Sequence, residues 1–306
     1  MTLPPPTPSR PLKAPPTVPI AASFQVRDMA GDTTAMGPVE ADDGALERLL
    51  VPFREEPGRS AVLTDVDGTI APIVQDPADA AVAEPTRELL RALAERYALV
   101  GCLSGRRALD ARRIVGLDEL AYSGNHGFEL LMPGEEAVRP DPSLDGHEAD
   151  APKFVAALDR SELERVGIRT EDKGAIVALH WRGADNEGAA ESLAHEIASE
   201  AEWQGLVPHR GRKVLEIRPN VAINKGIAVA ALLASAPIDS ALYGGDDRTD
   251  VDAFTALRIL REDDKLSATA CIAVTSDESP PEVSQEADVA VDGPDGFVGV
   301  LEALAE

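Results

Sequence analysis

The sequence predicts an α/β fold, a doubly wound, mostly parallel, Rossmann-like core sheet with an α+β cap of order αββαββ inserted into it. Three observations carry this. Short apolar runs alternate with helical periodicity over 61–103, the same alternation returns over 240–291, and between them, over 129–218, it changes to paired strands separated by helices. Strand–helix alternation is the signature of a sheet covered by helices on both faces.

The first 20 residues hold 8 of the 24 prolines. This composition favours extended polyproline conformations and carries too little apolar surface to order itself, so 1–40 is expected to be a disordered tail. It serves as a solubilising extension or, through its PPPTPSRP stretch, as a ligand for a proline-binding groove. The first part of the core is 41–128, with a buried strand at 61–66 and a helical face of Leu90, Leu93, Ala94 and Tyr97. Further strands follow at 98–103 and 120–123.

The cap, 129–218, is expected to hold a helix near 152–166, strands flanking Lys173-Gly174, a helix presenting Ala190, Leu193, Ala194, Ile197 and Ala201, and two strands around Arg210-Gly211. Period-two alternation sets Val177, Leu179 and Trp181 against Ile176, Ala178, His180 and Arg182. It likewise sets Leu215 and Ile217 against Arg212, Val214, Glu216 and Arg218. The apolar sets should pack on the helices, leaving the face with His180, Arg212 and Glu216 to cover the core. The second part of the core, 219–306, carries strands at 240–243, 270–274 and 288–291 and a helix around 252–260.

Composition removes several function classes. With 29 basic and 54 acidic residues among 306, the net charge is −25, a field that repels nucleic acid and anionic membranes. Only 2 Trp, 3 Tyr and 6 Phe occur, too few for a base-stacking platform. Cys102 and Cys271 each lie in an apolar run and read as core fillers, which fits a reducing cytoplasm. No signal-peptide-like apolar stretch opens the chain, and no apolar run reaches ~18 residues.

The chemistry concentrates at strand ends. Asp65-Val66-Asp67-Gly68-Thr69 follows the first strand, placing two carboxylates where open α/β sheets bind ligands. One carboxylate can attack phosphorus while the other moves protons, although Asp and Gly also simply end strands in turns. Ser104-Gly105-Arg106 follows the second strand, Lys225 opens a helix after Asn224, and Gly245-Asp246-Asp247-Arg248-Thr249-Asp250 follows the strand at 240–243.

In this order, DVDGT, SGR, NKG and GDDRTD resemble the four motifs of the haloacid dehalogenase superfamily of aspartate-nucleophile phosphatases. The resemblance implies Asp65 as nucleophile, Asp67 as general acid/base, Ser104 on the phosphate and Lys225 as the neutralising cation, with Gly68, Gly105 and Arg106 around the phosphate. It also implies Mg²⁺, held by Asp65, the carbonyl of Asp67 and Asp246, with Asp250 behind them and Asp247 ambiguous. An octahedron of oxygens is what this hard ion demands.

Four further segments, YSGNHG, EDKG leading into HWR, GRKVLEIRP and NKG, resemble the trehalose-6-phosphate phosphatases over about 63–297. This implies a small sugar phosphate as partner and substrate contacts from Asn125, His126, Lys173, Arg212 and Glu216. A carboxylate such as Glu216 can accept two sugar hydroxyls. Lys173 and Arg212 also lie beside hairpin turns, where solvated side chains are equally consistent. His147 and His195 read as surface residues, and a monomer is expected. The readings set against this one are a phosphatase of sucrose 6-phosphate or mannosyl-3-phosphoglycerate, a non-catalytic sugar-phosphate sensor, and a phosphorylatable receiver module.

Overall fold

The computed structural model describes residues 43–74, 79–211, 213–277 and 279–306. The proline-rich stretch expected as a tail, 1–40, lies outside the described residues, as does Arg212. The first half of the core runs α1 (Asp43–Glu55), β1 (Ser60–Asp65), α2 (Glu84–Arg96), β2 (Leu99–Leu103), α3 (Ala108–Val115) and β3 (Ala121–Gly124). Two short strands follow, β4 (Glu129–Leu131) and β5 (Arg139–Pro140). The inserted segment comprises α4 (Asp150–Ala156), α5 (Arg160–Val166), β6 (Arg169–Asp172), β7 (Val177–His180), α6 (Glu187–Trp203), β8 (Val207–Gly211) and β9 (Val214–Arg218). The second half of the core is α7 (Lys225–Leu233), β10 (Ser240–Gly245), α8 (Asp250–Glu262), β11 (Ala268–Thr275), α9 (Pro281–Gln285), β12 (Val289–Asp292) and α10 (Gly293–Ala305).

The large sheet has the order β12-β11-β10-β1-β2-β3-β4-β5, parallel from β12 to β3 and antiparallel at β4 and β5. Strands β1, β2 and β10 are buried along their whole length, as parallel strands covered on both faces must be. Val62, Val100, Cys102, Tyr122, Leu242 and Ile272 pack on one face with Leu50 and Phe53 of α1, Leu90 and Leu93 of α2, Ile114 of α3 and Phe297 of α10. On the other face the Tyr243 ring meets Phe254 of α8 edge-on, with centroids 5.9 Å apart. Strand order reverses between β10 and β1, so their carboxyl ends border the switch-point crevice where such sheets take ligands.

The second sheet is antiparallel, β6-β7-β9-β8. Leu179, Trp181, Leu215 and Ile217 pack with Phe154 of α4, Leu163 of α5 and Ala190, Ala194 and Ile197 of α6, as their alternation predicts. Two features differ from expectation. The helix expected at 152–166 is two helices, because the Asp159 side chain accepts from Ser161 N and caps a new start. Strands β4 and β5, at the beginning of the stretch expected as cap, extend the large sheet, β4 pairing directly with β3. Among the described residues no helix is long and apolar enough to cross a membrane.

Close packing of α10 on the central strands leaves no room for a side chain at Gly244, where a Cβ would lie 2.1 Å from the Phe297 ring. Gly244→Ala is expected to cost about 1–3 kcal/mol, the usual price of overpacking. The measurement is a urea midpoint at unchanged slope; an unshifted midpoint would show that α10 yields.

Candidate active site

The centre of the crevice is a buried ion cluster. Asp65 ends β1 and Lys225 opens α7, just after Asn224, whose side chain caps that helix by accepting from Ile227 N at 3.0 Å. Lys225 Nζ donates to Asp65 Oδ1 and to Asp250 Oδ1, both at 2.6 Å. Asp250 also accepts from Tyr243 Oη at 2.6 Å and, through Oδ2, from the backbone N of Asp246 at 3.1 Å and of Asp247 at 2.9 Å. Both its oxygens are thus engaged, and they fix the loop that presents Asp246. Thr69 Oγ1 donates to Asp246 Oδ1 at 3.3 Å.

Burial pushes the Asp65 carboxyl well above its ordinary value; Lys225 opposes this, while Asp250 and Asp246 add to it. Burial and Asp250 push Asp246 up to about 7. Burial disfavours the charged Lys225, but Asp250 and Asp65 outweigh it and raise the ammonium above its usual range.

Carboxylate oxygens of Asp65, Asp246 and Asp250 lie within 4.8 Å of one another. Three carboxylates against one ammonium leave an excess of negative charge, and the donors are hard oxygens, a set that fits a divalent cation such as Mg²⁺. Gly68 opens the space beside them: at φ +87° it adopts a left-handed conformation, and a Cβ there would lie 2.2 Å from Asp246 Oδ2.

Around this cluster stands a polar rim. Asp67 turns to Arg106, which grips both its oxygens through Nε and Nη2 at 2.7 Å. Ser104, buried at the end of β2, accepts from Arg106 N at 3.1 Å. Asn125 and His126 sit side by side at φ +52° and +58°, a left-handed pair without glycine, and such strain persists only where neighbours enforce it. The enforcing bonds run from Asn125 N to Arg106 O at 2.7 Å and from His126 N to Ser104 O at 3.0 Å. Gly105 is required beneath the His126 ring, since a Cβ there would lie 2.6 Å from Nε2.

The inserted segment closes over the rim at the β6–β7 turn. Lys173 Nζ donates to Gly105 O at 3.1 Å and to Glu216 Oε1 at 2.8 Å, and its carbonyl accepts from Asn125 Nδ2 at 2.9 Å. Arg218 donates to Glu216 Oε2 through Nη2 at 2.5 Å and Nε at 3.1 Å. Burial would raise the Glu216 carboxyl, but Lys173 and Arg218 outweigh it and hold it well below the ordinary range. His126 Nε2 lies 3.8 Å from Glu216 Oε2; burial and Arg218 depress its imidazole well below the usual value.

The structure thus gathers Asp65, Gly68, Lys225, Asp246 and Asp250 at the centre, Asp67, Ser104, Gly105, Arg106, Asn125 and His126 on the rim, and Lys173 and Glu216 above. Asp247 contributes its backbone N–H, while its carboxylate accepts from Arg248 N at the surface. Sequence reasoning gave no role to Arg218, although it shares a strand face with Glu216 two residues away, or to Tyr243, whose strand position signals only core. His147 and His195 are exposed, and Cys102 and Cys271 are free and buried, as read from the sequence.

The family model described as trehalose-phosphatase matches residues 63–295. The chain belongs to the trehalose-phosphatase family. Trehalose-phosphate phosphatase of Mycobacterium marinum is 34% identical over 248 residues, covering 74% of this family member and 60% of that protein. An uncharacterized glycosyl hydrolase of Mycobacterium tuberculosis is 35% identical over 210 residues, 65% of this chain and 15% of that one. The chain therefore spans less than two thirds of either relative. The fold is that of the C-terminal domain of C. albicans trehalose-6-phosphate phosphatase, at TM-score 0.70 and 22% identity over 88% of this chain and 98% of that one.

Because Lys173 ties the turn to the rim, Lys173→Met removes two bonds and leaves part of the Glu216 charge unmatched. Amide hydrogen exchange across 172–177 is expected to accelerate about tenfold or more, in line with the cost of breaking a buried ion pair. Unchanged exchange would show that the turn is held by other contacts.

Proposed function

We propose that the protein is a Mg²⁺-dependent phosphatase that hydrolyses trehalose 6-phosphate to trehalose and phosphate through an aspartyl phosphate on Asp65. The observation that carries this is the Lys225–Asp65–Asp250 cluster, with Asp246 beside it, at the switch point of the sheet. Family membership supports the substrate, as does the closing segment that brings Lys173 and Glu216 over the site.

An Asp65 carboxylate oxygen attacks phosphorus, the ester P–O bond breaks, and the departing sugar oxygen takes a proton from Asp67. Water then gives a proton to Asp67, its oxygen attacks phosphorus, and the acyl-phosphate bond breaks to release phosphate and restore Asp65. Lys225 opposes the push of burial on Asp65 and so favours its anionic, attacking form. Ser104 orients a phosphoryl oxygen. Asp65, Asp246 and the main-chain carbonyl of Asp67 would hold Mg²⁺, whose chemistry here is Lewis-acid stabilisation of the phosphoryl oxygens. Asp250, with both oxygens engaged, positions Lys225 and the Asp246 loop.

Arg106 engages both Asp67 oxygens, so Asp67 reaches the departing sugar oxygen only if Arg106 slackens its grip. An arriving phosphate offers Arg106 another anion, so substrate entry itself frees the Asp67 side chain to turn to the substrate. Every group assigned comes from one chain, so no second copy is required. Two free, buried cysteines support a reducing cytoplasm.

The test is phosphate release from trehalose 6-phosphate, sucrose 6-phosphate and glucose 6-phosphate, each with Mg²⁺ and with chelator. Release is expected from trehalose 6-phosphate with Mg²⁺ only, and Asp65→Asn should lower it by roughly a thousandfold or more while the protein stays folded. Turnover of another ester alone would overturn the substrate, and near wild-type turnover by Asp65→Asn would overturn the covalent step. Glu216→Ala should weaken trehalose 6-phosphate far more than a small phosphate ester; equal losses would make Glu216 structural.

A further inference from the structure

His209 faces the site, yet neither its sequence context nor the mechanism gives it a part. Strand register sets it directly opposite Glu216 on β9, and opposed residues share a sheet face. Its ring lies 6.1 Å from that of His126, tilted by 50°, so it looks across the junction toward the rim. The charged side chains here are engaged: Lys173 and Arg218 hold Glu216. By contrast, no hydrogen bond or ion pair among the described residues engages either His209 ring nitrogen, and the residue is open to solvent.

The charged neighbours leave a chemical gap. Lys173 and Arg218 only donate and the Glu216 carboxylate only accepts, whereas a sugar hydroxyl does both. A neutral imidazole does both as well. Partial desolvation and Arg218 lower the His209 pKa, against the opposite pull of Glu216 and Asp247, which favours the neutral form near pH 7.

We propose that His209 is a specificity residue for the sugar part of the substrate, hydrogen-bonding a hydroxyl beside the one held by Glu216 and leaving the phosphoryl group untouched. This rests on the phosphatase reading above. It places disaccharide recognition on β8 as well as β9, and it makes the outer strand of the inserted sheet part of the site.

The experiment compares kinetics of the full chain and its variants on trehalose 6-phosphate and on p-nitrophenyl phosphate, which has no sugar. His209→Ala is expected to raise KM for trehalose 6-phosphate about tenfold with kcat within about twofold, and to leave p-nitrophenyl phosphate turnover unchanged. His209→Asn or His209→Gln, each of which retains one donor and one acceptor, should restore KM to within about threefold. An unchanged KM, an equal loss on both substrates, or failure of both amides to rescue would overturn the proposal. Wild-type protein that hydrolyses only p-nitrophenyl phosphate would remove the disaccharide reading and this proposal with it. Wild-type turnover of trehalose 6-phosphate with an unaffected His209→Ala would remove the role of His209 alone.

Discussion

The structure depends on burying one ammonium between two carboxylates. Lys225 is almost inaccessible, at 2% relative exposure, and such a group is tolerated only with counter-charges within bonding distance. Asp65 and Asp250 supply them from opposite sides of the strand-order reversal, one ending β1 and the other opening α8. Removing the ammonium would leave two uncompensated carboxylates in the core. The cluster is therefore both a packing constraint and a chemical device. Asp250 extends it further, because the Tyr243 hydroxyl and two loop amides converge on the same carboxylate. The backbone path from β10 into α8, and with it the position of Asp246, follows from satisfying one buried anion.

The rim and the inserted segment solve a related problem with different chemistry. Closing a layer over a polar crevice buries charge, and here each charge meets its opposite: Arg106 with Asp67, Lys173 and Arg218 with Glu216. Neutral groups fare less well. Among the described residues none hydrogen-bonds the buried Ser123 Oγ, Asn125 Oδ1 or His126 Nδ1. All three lie in one four-residue stretch that also carries two left-handed non-glycine residues. Among the described residues the charged groups here are thus better matched than the neutral ones.

Much of this was legible in the residues, for identifiable reasons. The strands carrying Asp65, Ser104 and Asp246 announce themselves twice, as apolar runs and as polar motifs at the ends of those runs. Period-two alternation on β7 and β9 correctly separated the helix-packed Leu179, Trp181, Leu215 and Ile217 from the face with Glu216. The first and last helices went unread because their local signals point elsewhere: Pro52 interrupts α1, and α10 begins Gly-Pro-Asp-Gly, a turn-like tetrapeptide. Their helicity comes from packing, Phe53 and Phe297 both lying in the main core. Strands β4 and β5 are too short to carry periodicity, so their membership of the large sheet emerges only from pairing. Asp250 presents the opposite difficulty: its motif position implies a place behind the metal ligands, while the partners that hold it there are distributed over three elements and emerge only from the fold.

A net charge of −25 opposes the phosphate dianion that the proposed reaction requires, yet the local arrangement resolves the conflict. Charges farther away than about 8 Å are largely screened at physiological ionic strength, so the surface excess slows approach more than it opposes binding. Within the crevice the cations are close and shielded from water, but each is already paired with a carboxylate of this chain. An incoming phosphate must therefore compete with Asp65 and Asp67 for Lys225 and Arg106. Pairing keeps the site folded and free of unmatched buried charge before substrate arrives, at the cost of part of the attraction. A divalent cation held by Asp65 and Asp246 would supply part of the missing attraction, because it would neutralise Asp65, one of the carboxylates with which the phosphate competes.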